Sequence, residues 1–213
     1  MIRKIIKAII VSSSITVLTV LGNIEMFYSP HIWILFITGI LASIFQPDYN
    51  IVKDKSISKD NGTEIQIIWS VYITQLLAVL EAAYFRFPES VKWDIFTTVS
   101  LVVMILGLAL RTWAIYTLGN YFTMHLSIQK EHKIIRSGPY KYFRHPSYVG
   151  AFLTYLGTPV FLHTWFSLIV AAIILPIAWL RRIYYEEKLL IEEFGNEYRS
   201  YCKSVKRAIP GLW

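Results

Sequence analysis

The sequence predicts an all-α, polytopic integral membrane protein with about six transmembrane helices, a helical hairpin near the C-terminus and a cytoplasmic C-terminal helix. Hydrophobic residues make up 55% of the 213 residues and charged residues only 16%, whereas about a quarter of the residues of a soluble domain are charged. The mean hydropathy is +0.47. The apolar residues also occur in long runs, which is typical of helices that cross a bilayer.

Six apolar runs are long enough, or nearly long enough, for the roughly 20 residues that a spanning helix needs. The first run resembles a signal peptide, but no small-residue cleavage pattern follows it, so we expect a retained helix. Only His163 and Thr164 separate the last two runs, which predicts a tight antiparallel hairpin. The runs are Ile5–Leu21, His31–Phe45, Ile65–Phe85, Ile95–Leu118, Tyr148–Leu162 and Trp165–Tyr184.

Basic residues alternate between the predicted loops. The loop around Glu25 and the hairpin tip contain no Lys or Arg, whereas the loop after the fourth run contains five and the tail from Arg181 contains seven. The positive-inside rule then places both termini in the cytoplasm. The loop 46–64 is a weaker indicator, because four acids accompany its three lysines. A cell membrane and an endoplasmic reticulum membrane are equally compatible with this pattern.

The tail after the sixth run predicts a further helix. Leu190, Phe194, Tyr198 and Tyr201 recur at spacings of three and four residues, which places them on one helical face. Gly195 lies in the middle of this pattern, and we expect it to bend the helix.

The composition excludes several classes of function. The net charge of +7 does not indicate a nucleic-acid partner, because the basic residues cluster at the ends of apolar runs, where anionic lipid explains them. The single cysteine, Cys202, excludes an internal disulfide and a cysteine-only metal site. His125, His132 and His145 are not spaced as metal ligands, so we expect no metal. The P-loop, HExxH and GxSxG motifs are absent.

Several polar residues occupy positions that a membrane helix does not favour. Arg111 lies inside an apolar run, where a charge normally faces a partner or a polar cavity. Glu81 and Gln75 lie similarly inside the third run, and Glu81 could simply pair with Arg111 or another base. Arg182 and Glu186 are four residues apart and share a helical face. They form either a surface ion pair or one wall of a cavity.

The stretch "RHPSY" places His145 between Arg144 and Pro146. Proline suits the first turn of a helix, so His145 is predicted to lie at the N-terminus of the fifth helix, where backbone N–H groups favour an anion. Basic and aromatic residues are also ordinary in loops beside a membrane. The stretch therefore predicts either an anion site or a plain interfacial loop.

These motifs together resemble the isoprenylcysteine carboxyl methyltransferase family, within a wider group that includes membrane phospholipid methyltransferases. The resemblance covers about the C-terminal half, from Arg111 onwards, and does not extend to the helices before Phe85. The motifs that carry it are "R…LGNYF", "EHKIIRSGPYKYFRHPSYVG", "RRIYYEEKLLIEEFGNEYRSY" and a final "IP".

The resemblance implies that S-adenosyl-L-methionine is the methyl donor, held at the cytoplasmic face. Because the apolar runs fill most of the chain, we expect one integrated domain, with N-terminal transmembrane helices over 1–94 and a catalytic, cofactor-binding part over 95–213. The residues implied for methyl transfer and acceptor binding are Arg111, Arg182 and Glu186. The residues implied for the cofactor are His132, Ile134, Ile135, Gly138, Tyr140, Arg144, His145, Tyr148, Glu186 and Glu187.

We therefore expect a membrane methyltransferase whose lipophilic acceptor comes from the bilayer, such as the C-terminal carboxylate of a prenylated cysteine. A carboxylate acceptor needs only an arginine to orient it, whereas an amine needs a base, and Arg111 and Arg182 favour the carboxylate. One alternative is a phospholipid or other small-lipid N-, O- or S-methyltransferase. Another is a membrane scaffold or transporter, in which Glu81 and Arg111 would line a transport path.

Overall fold

The computed structural model describes residues 2–45, 61–123, 126 and 132–207. The regular secondary structure of these residues is helical. Phe143 and Lys206 make an isolated parallel bridge, but no strand is formed among the described residues. This confirms the all-helical prediction for that part of the chain. The helices are α1 (Ile2–Gly22), α2 (Pro30–Ile44), α3 (Thr63–Tyr84), α4 (Ile95–Leu118), α5 (Pro146–Phe161), α6 (Trp165–Phe194) and α7 (Asn196–Ser204).

Three predicted features lie outside the described residues. They are the lysines of the loop 46–64 (Lys53, Lys55 and Lys59), the histidine of the loop after α4 (His125), and the final "IP" motif (Ile209 and Pro210).

Local capping groups explain where the helices begin. The Ser29 hydroxyl accepts a hydrogen bond from the backbone N–H of His31, and Pro30 occupies the first turn of α2. The Asp94 carboxylate accepts one from the N–H of Thr97 at 3.0 Å at the start of α4. Such caps satisfy N–H groups that have no partner within the helix. Pro146 opens α5, as the sequence predicts.

The sixth helix is longer than the predicted apolar run. That run ends at Tyr184, but α6 continues as a single helix to Phe194 and includes the first part of the predicted tail helix. It ends at Gly195, whose φ of 53° lies in the left-handed region that favours glycine. The expected bend is therefore real, and α7 follows it directly. As a result, Arg182 within the predicted apolar run and Glu186 beyond it lie on the same continuous helix.

Within the part of the chain that the structure describes, three helical segments are long and apolar enough to cross a membrane: α3, Ile95–Tyr121 and α6. Ala8–Gly22 and α2 are shorter apolar helices, and α5 has 16 residues. Many large apolar side chains point outward, as lipid contact requires; Leu21 is 72% exposed and Phe85 82%. The total of six crossings stays a prediction.

The helices α4 and α5 pack against each other through glycines. A Cβ atom on Gly150 would lie 2.5 Å from the carbonyl oxygen of Gly107 and 2.6 Å from the backbone nitrogen of Arg111. Small residues allow this close approach between helices in membranes. The contact brings Arg111 beside the first turn of α5, where Ser147 lies.

We expect Gly150→Ala to lower the free energy of unfolding by about 1–3 kcal/mol, the usual cost of overpacking. The carbonyl oxygen of Gly107 and the nitrogen of Arg111 belong to the backbone of α4, so they cannot rotate away from the new methyl group. Gly39→Ala is the matched control, because its Cβ meets the rotatable Ser12 hydroxyl at 2.9 Å. Thermal unfolding in detergent measures both variants, and equal midpoints would contradict the close packing of α4 and α5.

The polar residues inside α3 have structural partners. The Glu81 carboxylate accepts hydrogen bonds from the backbone N–H of Ser167 at 2.8 Å and from its hydroxyl at 2.6 Å, and so caps the start of α6. The Gln75 side chain donates to the carbonyl oxygen of Tyr155 at 3.0 Å. These contacts account for both residues without a transport path, and they place Glu81 at the opposite end of α6 from Arg182.

Candidate active site

A cleft lies where the end of α4, the start of α5 and the last third of α6 meet, and α7 closes one side of it. Of the twelve residues that the sequence predicts for the site, nine line this cleft and three do not. Arg111, Gly138 and Glu187 are the three that do not. The nine that do are His132, Ile134, Ile135, Tyr140, Arg144, His145, Tyr148, Arg182 and Glu186.

The last third of α6 supplies one wall of the cleft. Arg182, Glu186, Leu190 and Phe194 recur every four residues along the helix and all line the cleft. Helical periodicity puts such residues on one face. The continuation of α6 past Tyr184 is therefore what builds this wall.

Arg182 is held inside the protein rather than on its surface. Its side chain is nearly inaccessible to solvent, with 3% of the residue exposed. Its Nε donates to the Tyr148 hydroxyl at 3.2 Å, and its Nη1 donates to the Thr63 hydroxyl at 3.1 Å. The interpretation of Arg182 and Glu186 as an exposed ion pair is therefore wrong, because Arg182 is buried between α3 and α5.

Glu186 presents a carboxylate oxygen that the described residues leave without a hydrogen bond. Its Oε2 is buried and has no hydrogen-bond partner among those residues. The Nδ1 of His145 lies 3.8 Å from this oxygen. An unsatisfied buried acceptor costs free energy. The site can recover that cost when a ligand places an N–H or O–H donor there.

Glu187 lies behind His145 and does not line the cleft. Its Oε1 lies 3.2 Å from the Nε2 of His145 and accepts from the Nε of Arg144 at 3.0 Å. Its Oε2 accepts from the Nε of Arg207 at 2.9 Å. Three basic side chains therefore meet at one carboxylate. This arrangement holds the imidazole of His145 at its Nε2, so that its Nδ1 lies on the side of Glu186.

The segment that follows α7 forms backbone hydrogen bonds with the stretch that leads into α5. The N–H of Arg144 donates to the carbonyl oxygen of Lys206 at 2.9 Å, and the N–H of His145 donates to that of Arg207 at 3.0 Å. The Nη1 of Arg144 also donates to the carbonyl oxygens of Cys202 and Val205, both at 2.8 Å. The conformation of "RHPSY" thus depends on the end of the chain. Sequence motifs could not reveal this, because the acceptors are backbone atoms.

Tyrosines from α7 close the cleft next to the turn that holds Tyr140. The Tyr201 hydroxyl donates to the carbonyl oxygen of Tyr140 at 2.6 Å. Burial raises the pKa of Tyr201 to about 12 and also raises the pKa values of Tyr140 and Tyr198. All three phenols are therefore protonated at neutral pH. They can donate hydrogen bonds and offer ring faces, but they cannot serve as bases.

His132 forms part of an aromatic group at the mouth of the cleft. Its ring stacks on Tyr121 with the centroids 4.6 Å apart, and it meets the edge of Phe194 at 5.5 Å. Burial lowers the pKa of His132, which favours a neutral imidazole at neutral pH. Flat, uncharged rings of this kind suit an aromatic ligand group.

Arg111 and Gly138 support the cleft from outside. The Nη1 of Arg111 donates to both the carbonyl oxygen and the hydroxyl of Ser147 at 3.2 Å, and Ser147 lines the cleft. Gly138 has a φ of 57°, and a Cβ there would lie 2.9 Å from the Thr117 hydroxyl. Glycine is therefore required where the turn before α5 touches α4.

Sequence reasoning missed several residues that line the cleft. Tyr198, Tyr201 and Phe194 were assigned only to a helical face, although that periodicity was the available signal. No sequence signal indicated Ser147 or Leu189. The lining residues that the sequence did not assign to the site are Leu118, Tyr121, Phe122, Thr123, Leu126, Lys133, Ser147, Leu189, Leu190, Phe194, Tyr198 and Tyr201.

The fold and the site define a helical protein with membrane-spanning character and a ligand cleft at one end of its apolar helices. The profile of the "Isoprenylcysteine carboxyl methyltransferase (ICMT) family" matches residues 99–192. "Protein-S-isoprenylcysteine O-methyltransferase B" of Arabidopsis thaliana is 35% identical over 142 residues, which cover 65% of this chain and 72% of that protein. The chain belongs to the isoprenylcysteine carboxyl methyltransferase family.

Two further comparisons agree with this membership. The "Probable protein-S-isoprenylcysteine O-methyltransferase" of Oryza sativa subsp. indica is 34% identical over 126 residues, which span 58% of this chain and 66% of the rice protein. A solved structure titled "Structure of the eukaryotic intramembrane Ras methyltransferase ICMT (isoprenylcysteine carboxyl methyltransferase) without a monobody" superposes with a TM-score of 0.64. It shares 25% identity, and the match covers 94% of this chain and 74% of that one.

Proposed function

We propose that the protein is a membrane methyltransferase that uses S-adenosyl-L-methionine to methylate a lipophilic carboxylate, such as that of a C-terminal prenylated cysteine. The observation that carries the proposal is that Arg182 and the unsatisfied oxygen of Glu186 both lie in one cleft. One group suits an anionic acceptor and the other a cationic or hydroxyl-bearing donor molecule. The names of the relatives support the same acceptor class.

The charged groups of the cleft fit the parts of S-adenosyl-L-methionine. The Oε2 of Glu186 has no hydrogen-bond partner among the described residues and suits its ammonium group or ribose hydroxyls. His145 and the first turn of α5 suit its carboxylate, because a helix N-terminus favours an anion. Tyr121 and His132 offer ring faces for the adenine, and a tyrosine face attracts a cation. When bound, this cofactor supplies a methyl group on a positively charged sulfur.

Methyl transfer to a carboxylate needs orientation more than proton chemistry. The acceptor oxygen is already a nucleophile, so the chain only has to aim it. Arg182 can do this with its planar guanidinium, which binds carboxylates in a defined geometry. The hydroxyl of Tyr148 lies beside both Arg182 and Glu186 and links the acceptor side to the cofactor side. Arg111 supports the same wall through Ser147.

A methyl-transfer screen tests the proposal. The purified protein is incubated with S-adenosyl-L-methionine labelled on the methyl group and with farnesylcysteine, phosphatidylethanolamine or a small aromatic acceptor. We expect label in farnesylcysteine that alkali releases as methanol, because methyl esters hydrolyse and N-methyl groups do not. Alkali-stable label in phosphatidylethanolamine would establish the phospholipid alternative. No transfer to any acceptor would favour a scaffold.

We further propose that the chain crosses the membrane six times, with the cleft and both termini in the cytoplasm. The alternation of loops rich and poor in Lys and Arg supports this topology. In a Cys202→Ser background, Lys203→Cys should react only with reagents that reach the cytoplasmic side, and Glu89→Cys only with reagents on the opposite side. Both positions are exposed. Labelling of both variants from the same side would contradict the proposed topology.

A further inference from the structure

Thr63 connects the N-terminal helices to the candidate site. It is the first residue of α3 and is fully buried, with 0% of the residue exposed. Its hydroxyl accepts the hydrogen bond from the Nη1 of Arg182 at 3.1 Å. The family match begins at residue 99, so this contact comes from a part of the chain that the match does not include. Nothing in the motifs of the C-terminal half indicates it.

The contact fixes the plane of the guanidinium that we assign to the acceptor. Arg182 donates from Nη1 to Thr63 on α3 and from Nε to Tyr148 on α5. Two hydrogen bonds from different atoms of one rigid, planar group determine its orientation as well as its position. Removing the Thr63 hydroxyl removes one of these two contacts, and with it the support of α3 for this orientation of the guanidinium.

The neighbouring arginine holds Thr63 in place. Arg181 donates from Nη2 to the carbonyl oxygen of Asn61 at 2.9 Å, and from Nη1 to the side-chain oxygen of Gln66. These two residues flank Thr63 in the chain. The outer arginine thus clamps the first turn of α3 onto α6, while the inner arginine uses the hydroxyl that this clamp presents.

We propose that Thr63 is a positioning residue for methyl transfer that acts through Arg182, and that α3 thereby contributes to the geometry of the acceptor side. The inference rests on the proposed function. It assigns Thr63 no contact with the cofactor, because Thr63 does not line the cleft. Its removal should therefore affect the acceptor and leave the affinity for the cofactor product unchanged.

The test compares Thr63→Val with Thr74→Val in the full-length protein. Both threonines are fully buried in α3, but the Thr74 hydroxyl donates to the carbonyl oxygen of Ser70 in its own helix, at 2.8 Å. We expect Thr63→Val to lower kcat/KM for farnesylcysteine about 10-fold, the scale of a hydrogen bond to a charged group. Thr74→Val should stay within about twofold of wild type, as should the affinity of both for S-adenosylhomocysteine.

Thr63→Ser separates positioning from packing, because it restores the hydroxyl without the methyl group. We expect it to recover most of the activity. The inference is overturned if Thr63→Val is as active as Thr74→Val, if Thr63→Ser is as impaired as Thr63→Val, or if S-adenosylhomocysteine binding falls in parallel with activity. If neither the wild-type protein nor Thr74→Val transfers a methyl group, the proposed function itself is overturned, and this inference falls with it.

Discussion

Glu186→Gln is expected to slow single-turnover methyl transfer about 100-fold or more, while the unfolding midpoint barely moves. The substitution keeps the shape of the side chain but removes the negative charge. Misplacing a bound reactant by about 1 Å can cost 100-fold in rate. Stability should be nearly unchanged, because the Oε2 of Glu186 receives no hydrogen bond from the described residues. We also expect the variant to bind S-adenosylhomocysteine measurably more weakly.

Glu193→Gln is the matched control for this substitution. Glu193 lies seven residues further along the same helix, is exposed and does not line the cleft. It should retain wild-type turnover and affinity. If Glu186→Gln were as active as Glu193→Gln, Glu186 would have no part in the site.

Arg182→Lys is expected to reduce turnover by a similar factor of about 100 but to leave S-adenosylhomocysteine binding closer to wild type. Lysine keeps the charge but loses the planar group that orients a carboxylate. It also cannot reproduce the two contacts from Nε and Nη1 to Tyr148 and Thr63. We therefore expect the loss of turnover to come from a misoriented acceptor. A factor of about 100 is the size of effect that small displacements of reactants produce.

Arg181→Lys makes the same change at the adjacent position. Arg181 is exposed and contacts Gln66, Asn61 and the ring of Tyr185, none of which lines the cleft. We expect a smaller loss of turnover than in Arg182→Lys, because the change weakens the clamp on the first turn of α3 but leaves the guanidinium of Arg182 itself intact. Near-normal rates in both Arg182→Lys and Glu186→Gln would mean that the contacts of these two residues serve the structure and not methyl transfer. Arg111, which is joined to the cleft through Ser147, would then be the remaining candidate among the three residues predicted for methyl transfer.

The sequence predicted much of the fold because apolar runs, prolines and glycines act locally. Pro146 begins α5 and Gly195 ends α6, as their backbone preferences require. The predicted apolar run ends before α6 does, because hydropathy reports where a helix leaves the bilayer, not where it stops. Nothing between Tyr184 and Gly195 breaks a helix, so it continues.

The candidate site was predictable where its residues lie close together in the chain. The four-residue spacing of Arg182 and Glu186 placed both on one wall, and both line the cleft. The position of Glu187 behind His145 was not predictable, because adjacent residues on a helix point in different directions and only tertiary packing decides which enters a cavity. The contact of Thr63 with Arg182 spans 119 residues of chain, and no local pattern reports it.

Calorimetric titration of the detergent-purified protein with S-adenosylhomocysteine tests most directly whether the cleft binds the methyl donor. We expect saturable binding at one site in the wild type. His145→Ala should weaken it by about 1–3 kcal/mol, the scale of a lost hydrogen bond to a charged group. His163→Ala is the control, because this histidine is bound to Asp94 at the far end of the helices. Absence of binding in the wild type, or equal affinity of folded His145→Ala and His163→Ala, would contradict the assignment of the cleft.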